Sequence, residues 1–170
     1  MKPFRRKGEE LVGRLADAEA DIVGLLLDQL EQLLAADPAD SGGDPVLARL
    51  LPSGHATDPE LAAEFRDLTE AGLRSGKADD LATVRATVPP DGGEVRLDAE
   101  QARAWLRTTN DLRLAMGTRL GITAETEPPE IDATGDGADD ESSQLAVYYW
   151  LTAVQGSLID ALAAGRGGRR

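Results

Sequence analysis

His55 is the single histidine, and it lies in Pro52-Ser53-Gly54-His55-Ala56-Thr57-Asp58-Pro59 with a hydroxyl and a carboxylate close by in sequence. Serine, histidine and aspartate together suit acyl transfer, where the imidazole takes a proton from the nucleophile and the carboxylate orients it. That chemistry needs a fold to aim three groups at one point, which neighbours in a single loop do not achieve. His55 therefore reads as a loop residue, and Asp58 as the cap of the helix that follows.

A second chemical pattern lies further on. Asp132, Thr134, Asp136 and Gly137 imitate the first half of a calcium-binding loop. Ser143 stands where a bidentate glutamate is needed, and Pro128-Pro129 replace the helix that should enter the loop, so the stretch reads as a solvated linker. Leu61 to Val84 could be taken for a helix-turn-helix with its turn near Ser75-Gly76. Its second helix would offer DNA Asp79 and Asp80, offset only by Lys77 and Arg85, so core packing is the better reading.

Arginines between 96 and 119 are more suggestive. Arg103 and Arg107 lie one helical turn apart on the side opposite Trp105, and Arg96 extends them into a candidate interaction surface. The competing reading is local pairing with Glu100 and Asp111. Arg113 falls nearer the apolar edge, by Leu106 and Leu120, and there it should have a carboxylate or backbone-carbonyl partner. Asn110, Asp111, Arg113 and Arg119 are read as structural polar residues. No set of residues reads as catalytic, cofactor-binding or metal-ligating, and an enzyme is the least favoured class.

The elements that must position these residues come from a repeat. Arg14-Leu15 leads within two residues to Asp17-Ala18-Glu19, and Arg96-Leu97 leads directly to Asp98-Ala99-Glu100. Each copy reads as a short strand (9–15 and 94–97), an aspartate cap and an amphipathic helix. The strands are expected to pair, with no third candidate. Helices are expected over 18–36, 44–51, 58–88 and 98–120, with Asp17, Asp44, Asp58 and Asp98 as caps and Gly121 closing the fourth. Gly72 and Gly76 are where the third would bend. After an acidic mobile loop at 123–141, Ser142 or Ser143 caps a last helix to about Ala164. The first and last helices are apolar over faces wider than one core requires, which predicts a homodimer.

The fold class is therefore mostly α, a bundle of about five helices with a minor two-stranded sheet. One domain spans 9–164, flanked by basic tails at 1–8 and 165–170. The net charge is −13 and the content 41% hydrophobic, which suits an ordinary folded protein. Such a charge repels a phosphate backbone, so no strong direct nucleic-acid binding is expected. No apolar run is long enough to cross a membrane, and a cytoplasmic location is expected. Without cysteine the chain has no disulfide, thiolate metal site or thiol switch.

The residues Arg49-Leu50-Leu51-Pro52, Asp58 to Arg66, Val95-Arg96-Leu97-Asp98, Trp105-Leu106, Asn110-Asp111-Leu112-Arg113-Leu114, Gly117 to Gly121 and Tyr149-Trp150-Leu151 carry a resemblance. In order and spacing, from Leu11 to Leu162, they resemble the actinobacterial uncharacterised-domain family of the actinomycetes oxidative stress regulator, usually encoded beside the Clp protease adaptor. The resemblance implies a cytoplasmic, transcription-linked regulator that works through protein contacts, with a sigma factor or RNA polymerase component as partner. The alternative it allows is an adaptor in Clp-type proteolysis. It implies no catalytic residues and no cofactor, and where the family's redox role rests on cysteines, this chain has none.

Overall fold

Strand β1 (Lys2–Lys7) turns through Gly8-Glu9 into β2 (Glu10–Leu15), and β2 pairs on its other side with β3 (Gly93–Leu97). Both pairings are antiparallel, giving a three-stranded sheet in the order β1-β2-β3. The computed structural model describes residues 1–36, 43–52, 59–128 and 140–165, and for 59–68 the backbone alone. Asp58 and His55, and residues 129–139 of the expected acidic loop, lie outside the described residues.

The pairing of β2 with β3 sets Leu11 opposite Leu97 and Gly13 opposite Val95, all buried. The third strand corrects the expectation of a basic tail. Lys2-Pro3-Phe4-Arg5-Arg6-Lys7 has one large apolar residue, too little for a period-of-two signal. What pins it is Phe4, 3% exposed, whose ring meets Trp105 edge-on at 5.5 Å and lies over Gly13. The register shifts between Lys2 and Arg5, a bulge that turns Phe4 inward. Gly8, at φ 68, supplies the left-handed residue of the two-residue turn.

Helices α1 (Asp17–Ala35) and α4 (Ala99–Arg119) follow β2 and β3, so the repeat corresponds to two strand-helix units. Their caps differ. Asp98 accepts from the backbone N–H groups of Glu100 and Gln101, and Gln101 returns a bond to the Asp98 N–H. In the first copy the residue inserted after Leu15 moves the cap to Ala16. Asp17 is thus the first helical residue and not the cap, and Glu19 alone reaches back, to the Ala16 N–H at 2.7 Å. Gly92 explains the tight fit, since a Cβ there would come within 2.6 Å of the Asp17 nitrogen.

Asp44 caps the short α2 (Pro45–Leu50) through the Val46 N–H. The next helix, α3 (Pro59–Thr87), runs unbroken through Gly72, Ser75 and Gly76, which removes the helix-turn-helix reading. Helix α5 (Asp140–Ala164) begins slightly before the expected serine caps. Leu151, Val154, Leu158 and Ala161 are its buried residues, so one stripe faces the core and its other large apolar side chains are half-buried or, at Ile159, exposed. The core joins Leu11, Leu15 and Leu97 of the sheet to Leu27, Trp105 and Leu158 of the helices. Met1 also packs against it, which corrects its assignment to a tail. Among the described residues, no helix is long and apolar enough to cross a membrane.

Candidate functional site

Helix α4 is the beam on which the sequence-derived residues are mounted, and packing on both sides decides what each does. Trp105 faces the core and donates from Nε1 to Thr87 Oγ1 at 2.8 Å. On the opposite side the arginines are neutralised. Arg103 pairs with Glu100 one turn away. Arg107 spans to α3 and grips both carboxylate oxygens of Asp80, at 2.6 and 2.7 Å, and not Asp111 as helical spacing suggests. Arg96, on β3, bridges Glu10 and Glu94. The hydrogen bonds they donate to Glu10 and Asp80 push the Arg96 and Arg107 guanidiniums above their ordinary range. The three candidate arginines are thus engaged one by one with carboxylates.

Asp111 is 7% exposed, and its carboxylate receives Lys77 Nζ of α3 at 2.7 and 2.8 Å. Burial pushes its carboxyl above the usual aspartate range, in spite of Lys77 beside it. The pair forms part of the floor of a cleft of about 780 Å³ between α3, α4 and α5. Gly72 and Gly76 open its α3 wall at two positions, and Leu73 and Ile159, 37% and 49% exposed, stand among its lining residues with Leu106. Asp79 and the Arg107-paired Asp80 stand on that wall.

Arg113 points the other way, into the α4–α5 contact. Among the described residues its guanidinium meets no carboxylate and no backbone carbonyl, which corrects the expectation. It donates to Thr152 Oγ1 at 2.9 Å, to Gln155 Oε1 and to the Tyr148 hydroxyl at 3.2 Å, and lies 5.1 Å from the Tyr148 ring centroid. Asn110 accepts from Gln155 Nε2 at 3.3 Å. Arg119 is exposed and has no ion-pair partner among the described residues. It lines a second groove of about 480 Å³ with Ile22, Leu25, Met116, Leu120 and Val147.

Sequence reasoning missed the α3 contribution. Lys77, Asp79 and Asp80 stand together in the chain, but which of them meets Asp111 or Arg107 depends on how α3 lies along α4. It also missed Glu19, whose Oε1 accepts from the Trp150 indole at 3.1 Å and from the Met1 ammonium while Oε2 holds Ala16.

Residues 1–162 match the family described as a domain of unknown function (DUF2017). Among curated proteins the chain is similar to the "Oxidative stress regulator AosR" of Mycobacterium tuberculosis and of Mycobacterium bovis. It is 29% identical to each over 171 residues, covering 92% of this chain and 75% of the relative. It is 33% identical over 153 residues to the "Putative oxidative stress regulator AosR" of Mycobacterium leprae, covering 81% of this chain and 68% of that protein. No solved structure matches significantly. With both the family match and these relatives extending over most of its length, the chain belongs to the DUF2017 family that includes the mycobacterial AosR proteins.

Proposed function

We propose that this chain is a regulatory protein of the oxidative-stress response that acts on transcription through protein contacts, its partner being a sigma factor or another RNA polymerase component. The relatives' names support the regulatory role. The observation that carries the contact is the α3–α4–α5 cleft, which Leu73 and Ile159 line as exposed apolar side chains. Gly72 and Gly76, whose added Cβ atoms would meet nothing within 4 Å, let a partner backbone come close. The cleft suits an amphipathic helix with a basic residue at one edge, because Asp79, which has no ion-pair partner among the described residues, borders it. Lacking cysteine, the chain transmits the stress signal without a thiol of its own.

The test is binding of purified RNA polymerase core and isolated sigma factors to immobilised protein. One of these components should bind the wild type, and Leu73→Asp with Ile159→Asp should weaken it at least about tenfold with the fold intact. Binding unchanged in the double variant, or none by any component, overturns the reading. A homodimer through α1 forms part of the same proposal, because Leu25 is 59% exposed on that helix. Light scattering should give twice the 18.0 kDa chain mass, and Leu25→Asp should return it to one.

A further inference from the structure

The outward face of the sheet has the opposite charge from the rest of the molecule. Strand register places Lys2, Arg14 and Glu94 in one cross-strand row and Arg5, Val12 and Arg96 in the next, with Lys7 opposite Glu10 beyond them. All are exposed except Val12, which is half-buried. Five bases against two acids give the face +3 on a chain of −13, which leaves −16 elsewhere. Both acids are already taken, because Arg96 holds Glu10 at 3.0 Å and Glu94 at 2.7 Å. Lys2, Arg5, Lys7 and Arg14 have no carboxylate partner among the described residues.

This arrangement works against stability. Lys2 and Arg14 face each other directly across neighbouring strands, where like charges repel. A chain with 31 acidic residues has ample means to neutralise four cations, yet among the described residues these four are unpaired.

We infer that the outer sheet face, through Lys2, Arg5, Lys7 and Arg14, docks an extended acidic segment of a protein partner. Adjacent strands are about 4.8 Å apart and alternate residues about 6.6 Å, so the four cations spread over an area that a short extended peptide covers. Carboxylates fit guanidinium forks side-on, as Arg96 with Glu94 and Glu10 already demonstrates on this face. Val12 supplies an apolar point near the centre. Nucleic acid fits less well. A duplex carries one charge per about 1.7 Å of axis and would run its phosphates out over the acidic remainder. A single strand would find no aromatic side chain on this face to stack against. The surface is separate from the cleft between α3 and α5, so it adds a second contact to the proposed regulator.

The experiment is fluorescence anisotropy of the full chain with a labelled oligoglutamate peptide of about ten residues, an oligoglutamine control of equal length and a duplex DNA of matched charge. The glutamate peptide should bind at low salt, weaken as salt rises, and bind at least about tenfold more tightly than either other probe. Lys2→Glu with Arg5→Glu should reduce its affinity at least about tenfold. The single variant Lys2→Glu should also raise Tm, because it turns the repulsion with Arg14 into attraction, and this readout separates lost binding from lost fold. Glutamate binding no tighter than glutamine, tighter binding of the duplex, or unchanged affinity in the double variant each overturns the inference. None of these outcomes bears on Leu73 and Ile159, so this inference and the cleft reading fail independently.

Discussion

Lys77 and Asp111 form an ion pair that joins α3 to α4, with side chains 18% and 10% exposed and Nζ within 2.8 Å of both carboxylate oxygens. A buried pair of this kind is costly to break and cheap to replace whole. Asp111→Ala should cost about 3–5 kcal/mol in denaturant melts, because it leaves the Lys77 charge without a partner. Lys77→Met with Asp111→Leu should stay within about 2 kcal/mol of the parent. The folded chain raises the Asp111 pKa, so its contribution is fully present below the ordinary aspartate range and lost as pH rises through the raised value. The parent should therefore lose stability relative to the double variant over that rise.

Glu19 behaves in the opposite sense. Burial pushes its carboxyl up, but the Ala16 N–H, the Met1 ammonium and the Trp150 indole outweigh this and hold it below the usual glutamate range. Its contribution is present above the unfolded value and lost as pH falls through the folded one. Glu19→Ala should cost about 1–3 kcal/mol at neutral pH, since three donors lose their acceptor, and the gap should narrow on acidification. Melting the two proteins from neutral to acidic pH measures both.

Gly13→Ala should destabilise by about 1–3 kcal/mol, because its Cβ would lie where the Phe4 ring already is. The nearest ring atom would be 2.8 Å away. Phe4→Leu made together with Gly13→Ala should cost less than the two changes summed, and a double-mutant cycle reads the coupling.

Mild peroxide should leave oligomeric state and partner affinity unchanged. Met1 and Met116 are the only sulfurs, both half-buried, and Met116 lines the groove beside α1. Sulfoxide at Met116 would loosen that packing and not switch it between two ordered states. A reversible change on peroxide treatment, with circular dichroism unchanged, would contradict this.

The parts of this protein legible in its sequence are those set by local chemistry. Asp44 and Asp98 announce their helices because a cap acts within three residues, and the repeat of Arg-Leu ahead of Asp-Ala-Glu marks β2 and β3 because a strand leading into a helix start is a local pattern. Charge bookkeeping is equally local, and the absence of cysteine excludes a thiol switch before any fold is known. Tertiary structure decided the rest. Lys2–Lys7 is a strand only because Gly13 and Trp105 receive Phe4. Arg107 meets Asp80 in place of Asp111, and Arg113 meets hydroxyls and an amide in place of a carboxylate, because α3 and α5 arrive from far along the chain. Spacing along one helix says which residues share a face, but which partner covers that face follows from the free energy of packing the whole core.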